Sequence, residues 1–123
     1  MVYFNRAYFS TPDIIAEDIT ENEEINKVVA YINENISKDL TLDRLSEICC
    51  FSKSRLSHQF KKYTGLTIFQ FIIKKRLTMA RNMIRDGVPV TEACMQCGFN
   101  DYSNFHKAFK KEFGACPKDF RRT

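Results

Sequence analysis

The sequence contains no long apolar run and no recognisable export signal. No apolar stretch in its 123 residues approaches the roughly 18–20 residues that a membrane-spanning helix needs. The first ten residues, MVYFNRAYFS, lack both the basic start and the continuous apolar segment of a secretory signal peptide. These two absences predict a soluble, cytoplasmic protein with no membrane partner.

Histidine is scarce, and the number of cysteines is odd. The chain has two histidines, His58 and His106, and five cysteines. An odd count without an export signal argues against a disulfide framework. Cys94 and Cys97 form a C-x-x-C pair, but a zinc site needs about four ligands and a thioredoxin-type pair needs neighbouring strands. We therefore interpret Cys94 and Cys97 as small buried helix residues, and we predict no metal and no cofactor.

Groups that carry out catalysis are also missing. The sequence shows no carboxylate pair, no Ser–His–Asp set and no metal cluster. It therefore does not predict an enzyme.

Charge is unevenly distributed along the chain. Residues 1–24 carry one basic and six acidic residues, a net charge of −5, whereas residues 25–123 carry 18 basic and nine acidic residues, a net charge of +9. A basic domain behind an acidic leader points to a polyanionic partner. Surplus lysines that only solvate a soluble domain are the alternative reading of the charge alone.

From residue 20 onward the apolar pattern predicts an all-α protein. Apolar residues recur at three- and four-residue steps, and nothing reads as a strand. TENE (Thr20–Glu23) fits a capping box that would open the first helix. Further predicted N-caps are Thr41, Ser52, Thr67 and either Asn100 or Asp101. The apolar face of the long middle helix is predicted to comprise Phe69, Ile72, Ile73, Leu77, Ala80, Met83 and Ile84.

One phrase occurs twice: FKKYTG at Phe60–Gly65 and FKKEFG at Phe109–Gly114, 49 positions later. Around each copy the plan is the same, with a short helix, a turn containing a phenylalanine, and a capped helix that ends at glycine. The second turn has one residue more than the first. This repeat predicts two helix-turn-helix units, at 41–65 and 90–114, joined by a linker helix at 67–86.

The second helix of each unit has an outward face without acidic residues. With about 100° per residue, Ser54 and His58 point away from Leu56, and Ser103 and Lys107 point away from Phe105. The residues flanking these pairs are Ser57, Lys61, His106 and Lys110. Hydroxyl, imidazole and ammonium groups suit a DNA major groove, where base edges offer hydrogen bonds and the walls are phosphate. An ordinary solvated helix surface is the alternative.

The stretch from about Ile25 to Arg122 resembles the DNA-binding domain of AraC/XylS-type bacterial transcription regulators. The first half matches that family as S-x-S-x-L-x-x-x-F-K-x-x-x-G over Ser52–Gly65, and the middle matches at Arg76, Leu77 and Ala80. The family's most specific pattern is matched by Gly98, Phe99, Asp101, Ser103, Phe105, Lys107, Phe109, Lys110, Gly114, Pro117, Phe120 and Arg121. The resemblance implies about seven helices, in two helix-turn-helix subdomains on a long linker helix. It also implies double-stranded promoter DNA as the partner, activation or repression of transcription, and contact with RNA polymerase.

Positions carried over from the family divide the candidate site into two groups. The base-facing candidates are Ser54, Ser57, His58, Tyr102, Ser103 and Lys107. The candidates for the DNA backbone are Lys53, Arg55, Lys61, Arg76, His106 and Lys110. For Arg76 the resemblance leaves two roles open, a phosphate contact or a brace between the two halves.

The chain departs from many members of the family in its N-terminal part. Residues 1–22, an acidic and half-apolar leader or interdomain linker, are too short for a sensor or dimerisation domain ahead of the DNA-binding domain at 23–123. A stand-alone regulator and the excised part of a longer protein both fit, and we favour the excised part. The alternative function is a helical protein-interaction module that kept the fold and lost DNA reading.

Overall fold

A computed structural model describes the backbone of residues 12–121 and the side chains of residues 22–121. Six α-helices and one 3-10 helix follow one another, and no strand occurs in this part of the chain. The helices are α1 (Pro12–Glu34), α2 (Leu42–Cys49), α3 (Lys53–Thr64), α4 (Ile68–Arg85), α5 (Val90–Gln96) and α6 (Tyr102–Phe113), followed by a 3-10 helix (Pro117–Phe120). The predicted all-α class with about seven helices is confirmed.

Side-chain caps open four of the five helices for which caps were predicted, and the exception is the first helix. Each capping oxygen accepts a hydrogen bond of 3.1 Å from the backbone N–H three residues later. The capping residues are Thr41, Ser52, Thr67 and Asp101. Asp101, rather than Asn100, therefore begins α6. Gln70 completes a capping box at α4, because its Oε1 accepts from the Thr67 N–H at 3.0 Å.

The first helix begins earlier than the sequence predicted. Because α1 starts at Pro12 and runs unbroken through Thr20, the capping box predicted at Thr20–Glu23 is wrong. Inside a continuous helix the backbone N–H groups have carbonyl partners four residues earlier, so no cap is needed there. The boundary predicted between residues 22 and 23 lies within this helix, and the division into leader and domain stays a prediction. The side chains of residues 1–21, nearly all of the predicted leader, lie outside the described part of the chain.

Two separate hydrophobic clusters form the interior, one in each half of the chain. The first cluster comprises Ile25, Val28, Ile32, Leu45, Cys49, Leu56, Phe60 and Ile72. The second comprises Leu77, Ala80, Ile84, Ala93, Cys94, Cys97, Phe105 and Phe109. Helix α4 contributes to both, with Ile72 in the first cluster and Leu77 at the start of its part of the second. The linker helix is therefore a structural member of each half.

Cys94 and Cys97 are both buried, as predicted, but only Cys94 lies within a helix, because Cys97 is the C-cap residue that follows α5. The thiols of Cys94 and Cys97 lie near backbone carbonyls, with Cys97 Sγ 3.4 Å from the carbonyl oxygen of Cys94. Burial raises the pKa of the Cys94 thiol and raises that of Cys97 to about 11. Since a thiol reacts through its thiolate, this environment makes both sulfurs poor nucleophiles at neutral pH.

Candidate nucleic-acid interface

Helix α3 turns one face into the first cluster and the other to solvent. Leu56 and Phe60 are buried, while the predicted base-facing residues Ser54, Ser57 and His58 are all exposed. The helix ends at Gly65, which has a φ of 84° and donates its N–H to the Lys61 carbonyl at 2.8 Å. A left-handed residue of this kind stops a helix at a fixed point, so α3 presents a short outward surface of three turns.

Helix α6 repeats this arrangement in the second half. Phe105 and Phe109 are buried, and Tyr102, Ser103 and Lys107 are exposed. Gly114 ends the helix with a φ of 75°. The Tyr102 ring lies 6.1 Å from the rings of both Phe105 and His106, measured between centroids. Tyr102 is therefore held against its own helix while 45% of its surface remains exposed.

The two outward faces carry positive charge. Helix α3 has no acidic residue, and the one acidic residue of α6, Glu112, lies 3.5 Å from Lys74 Nζ on α4. Within the described part of the chain, Lys61, Lys107 and Lys110 form no ion pair. Free ammonium groups on outward faces without acidic residues give each face a positive potential that attracts polyanions.

Lys53 and Arg55, at the start of α3, are more constrained than the other candidates. The Lys53 ammonium pairs with the Asp43 carboxylate on α2, and the Arg55 guanidinium lies 4.1 Å from the centroid of the Phe51 ring. Lys53 therefore ties the start of α3 to the first turn of α2, and Arg55 covers the turn between the two helices. Both are exposed, which leaves their predicted contact with the DNA backbone sterically open.

Arg76 and His106 differ from the other ten candidates because they are only partly exposed. Arg76 Nε donates to the Ile36 carbonyl and Arg76 Nη2 to the Lys38 carbonyl, each at 2.8 Å. Burial lowers the pKa of this guanidinium. Two N–H donors of this guanidinium are therefore engaged by the protein's own backbone.

The sequence pattern wrongly placed Phe69 on the buried face of the linker helix. Phe69 lies in the first turn of α4, and 73% of its surface is exposed. Periodicity assigns a face along the whole helix, but at this end of α4 it is Ile68 and Phe71 that pack against the first cluster, and Phe69 does not. Phe69 borders a shallow apolar groove that Leu42 and Ser57 also line. Because Ser57 is a base-facing candidate, Phe69 adds an aromatic edge to the candidate interface, and no local signal in the sequence indicates this.

The described part of the chain shows neither a metal-binding cluster nor a membrane-spanning helix. No cluster of three or more His, Cys, Asp or Glu side chains that could hold a metal ion occurs among them. None of the helices in the described segment has the length and apolar character needed to cross a membrane.

A helix-turn-helix domain family matches residues 45–123, well over half of the chain. The chain belongs to the AraC/XylS-type helix-turn-helix family. Among its curated relatives is the HTH-type transcriptional activator RhaS of Salmonella schwarzengrund, 31% identical over 110 residues. That alignment covers 88% of this chain and 40% of RhaS, so the chain spans less than half the length of this relative.

Solved structures of other proteins share the fold. The C-terminal domain of AraT, a response regulator from Geobacillus stearothermophilus, superposes with a TM-score of 0.75 at 28% identity, covering 80% of this chain and 84% of that domain. The DNA-binding domain of AdpA, a global transcriptional factor solved in complex with a target DNA, has a TM-score of 0.75 at 22% identity, covering 79% and 88%. The two-unit architecture on a shared linker helix is therefore that of an AraC-type domain.

Proposed function

We propose that this protein binds double-stranded DNA sequence-specifically and regulates transcription in a bacterium, with α3 and α6 in successive major-groove segments. One observation carries the proposal. Helices α3 and α6 present equivalent exposed, basic faces without acidic residues, and both helices pack on the shared helix α4. A single such face is common on soluble proteins. Two equivalent faces on one scaffold match the two-site recognition that simple repressors achieve as dimers.

Within this proposal the candidate residues have different tasks. Ser54, Ser57, His58, Tyr102, Ser103 and Lys107 contact base edges. Lys53, Arg55, Lys61, His106 and Lys110 contact phosphates. Base contacts specify the sequence, whereas phosphate contacts position the protein and supply the salt-dependent part of the affinity.

The length of the linker helix supports a two-groove arrangement. Its 18 residues span roughly 27 Å at 1.5 Å per residue. Adjacent major-groove faces on one side of DNA are about 34–36 Å apart. The widths of the two flanking units make up the difference.

The relatives suggest further activities of the whole protein. RhaS is named a transcriptional activator, and by analogy we propose activation at a promoter, contact with RNA polymerase and action in the cytoplasm. Because the chain spans 40% of RhaS, we also propose a sensor or dimerisation domain N-terminal to the residues present here.

Selection of bound duplexes from a random DNA library, at near-physiological salt, tests the proposal. We expect two short preferred patches about 10 base pairs apart, one for each reading helix. One patch means that one unit reads bases while the other holds the backbone. Salt-sensitive binding without enrichment means that the missing domain is needed for specificity.

A matched pair of variants controls the selection. Lys107→Glu should abolish enrichment, because it places a carboxylate against base edges and phosphates. Lys118→Glu makes the same change at an exposed lysine outside the candidate site and should retain enrichment. Absence of salt-dependent DNA affinity in the unmodified protein would reject the proposal and favour the helical protein-interaction module.

A further inference from the structure

Arg76 lies where α4 passes from one hydrophobic cluster to the other. Ile72, four residues earlier, belongs to the first cluster, and Leu77, one residue later, belongs to the second. The two clusters share no residue, so apolar packing alone leaves a seam between the halves at this level of the helix. A polar contact that crosses this seam would restrict rotation of one unit against the other.

The guanidinium of Arg76 makes such a contact with the first half. Its Nε and Nη2 donate to the carbonyls of Ile36 and Lys38, both at 2.8 Å. These carbonyls belong to residues 35–41, the connection between α1 and α2. Two donors of one planar group, fixed on two carbonyls, define both the position and the orientation of that connection relative to α4.

The same guanidinium packs against the second half at Gly98, in the turn between α5 and α6. Gly98 has a φ of 100°, and a Cβ atom placed on it would lie 2.9 Å from Arg76 Nε and 3.1 Å from the Ile36 carbonyl oxygen. The turn backbone of the second unit therefore approaches both the arginine and the carbonyl that the arginine binds. Three elements meet at one point: the α1–α2 connection, the linker helix and the second turn.

We propose that Arg76, wedged between the Ile36 carbonyl and Gly98, locks the rotation between the two helix-turn-helix units and thereby sets the spacing of the DNA sites that the protein accepts. This inference rests on the proposed DNA-binding function. Arg76 is then a positioning residue, which acts through the two units and not through a phosphate.

DNA geometry makes spacing a sensitive readout of this lock. With about 10.5 base pairs per turn, one inserted base pair rotates the second patch by roughly 34° and moves it by about 3.4 Å. A locked pair of reading helices cannot follow that displacement and loses one set of base contacts. A pair that rotates freely can follow it and retains most of its affinity.

The test uses the preferred duplex from the library selection and variants of it with one base pair removed, one added and two added between the patches. Affinities are measured for the unmodified protein, Arg76→Met, Arg76→Lys and Lys75→Met. Lys75 precedes Arg76 on the same helix, is exposed, and has its ammonium 5.5 Å from the Phe71 ring centroid. Lys75→Met therefore removes the same charge while leaving both hydrogen bonds of Arg76 in place.

We expect the unmodified protein and Lys75→Met to lose at least about tenfold in affinity for each shifted base pair, in line with the loss of one base contact. Arg76→Met should lose less than about threefold in affinity on the same shifted duplexes. Its slope of log affinity against log salt should equal that of the unmodified protein. Arg76→Lys keeps the charge and the stem but lacks the two-donor fork, so it should resemble Arg76→Met. Gly98→Ala, which pushes on the intact arginine from the other side, should also flatten the spacing preference.

An Arg76→Met protein that keeps the full spacing preference would overturn the inference. If Arg76→Met instead lowered the salt slope by about one and kept the spacing preference, Arg76 would be a phosphate contact. A DNA-free measurement separates this from failure of the proposed function. Residual dipolar couplings of the two units should fit one alignment tensor in the unmodified protein and two tensors in Arg76→Met or Arg76→Lys. A single tensor in both variants would reject the lock, whether or not the protein binds DNA or selects two patches.

Discussion

Cys50 in the first helix-turn-helix unit and Gly98 in the second occupy equivalent places in their turns, and both have positive φ angles, of 60° and 100°. Cys50 is exposed, whereas a side chain on Gly98 would collide with Arg76 and with the Ile36 carbonyl. The left-handed backbone is thus a property of the turn in both units. The second turn requires glycine because Arg76 and the Ile36 carbonyl leave no room for a side chain there. At Cys50 in the first turn the side chain is exposed, so a residue other than glycine fits.

The two hydrophobic clusters differ in their content of aromatic residues. The first is mainly aliphatic, and its buried ring, Phe60, has an edge-on partner in Phe71 at 5.3 Å between centroids. In the second, the Phe109 ring lies within 4.7–5.6 Å of the rings of Phe105, Phe113 and Phe120. One repeat in the sequence therefore supports two kinds of core, which respond differently to the same substitution.

Truncating the repeated phenylalanine sharpens this difference and has the largest expected effect. Phe60→Ala and Phe109→Ala should each lower the free energy of unfolding by about 3–5 kcal/mol, because both rings are fully buried. Phe109→Ala should exceed Phe60→Ala, since it also removes more ring–ring contacts, worth about 0.5–1.5 kcal/mol each. Urea unfolding followed by circular dichroism measures both values. Equal losses would mean that the ring contacts add nothing beyond burial.

Alkaline pH should expose a second contrast, between Cys97 and its equivalent Cys49. Burial raises the pKa of both thiols, and that of Cys97 rises from 9.0 to about 11. A thiol that stays protonated longer in the folded state contributes full stability below its unfolded pKa, and this contribution is lost as pH rises through the folded pKa. As pH rises from 9 to about 11, ionisation of the Cys97 thiol in the unfolded state should therefore lower the free energy of unfolding by roughly 2–3 kcal/mol.

The matched variants Cys97→Ala and Cys49→Ala separate this loss from that of other groups that titrate in the same range. Urea unfolding at several pH values should show a shallower alkaline decline for Cys97→Ala than for the unmodified protein. Cys49→Ala should change the decline less. Parallel curves for all three proteins would contradict the assigned burial of the Cys97 thiol.

One equivalent pair of base-facing candidates differs between the outward faces: His58 in the first unit and Lys107 in the second. If both residues read bases, Lys107→Ala should weaken binding to the preferred duplex by about 1–3 kcal/mol and relax the preference at one position. His58→Ala should cost less, because an ammonium offers three charged donors whereas an imidazole offers at most two. Competition binding against duplexes substituted at single positions measures both effects.

Lys61→Ala and Lys110→Ala serve as the comparison for that experiment. As phosphate contacts, they should weaken binding to every duplex about equally and reduce the salt slope. If Lys107→Ala behaved like them, with equal losses on all sequences, it would not be a base-reading residue.

The sequence was most informative where structure depends on near neighbours. The caps Ser52 and Asp101 and the glycine stops at Gly65 and Gly114 act within a few residues, so their pattern alone located α3 and α6. The repeat then predicted that one architecture occurs twice, and the family's fold agrees. The DNA contacts of the individual side chains remain predictions, because they depend on a partner that the sequence does not contain.

Features that depend on distant parts of the chain escaped prediction. The carbonyls that bind Arg76 lie 40 and 38 residues before it, and no local pattern indicates them. Phe69 follows the helical period and is nonetheless exposed, because the first cluster covers Ile68 and Phe71 at this end of α4 but not Phe69. Periodicity identifies a helix face, but neighbouring elements decide how much of that face is covered.

The contrast between the two turns itself makes the smallest and most specific prediction. Cys50 holds a left-handed conformation that an L-residue with a side chain adopts at a cost of roughly 1–2 kcal/mol, and its exposed side chain contributes little packing in return. Cys50→Gly should therefore stabilise the fold by about 0.5–1 kcal/mol, after the greater backbone entropy of glycine in the unfolded state is deducted. Thermal unfolding should give a higher midpoint for Cys50→Gly, and Cys50→Ser, which keeps a Cβ atom, should give no increase. A midpoint unchanged in Cys50→Gly would mean that the first turn carries no strain, so that the two turns would differ only in the crowding around Gly98.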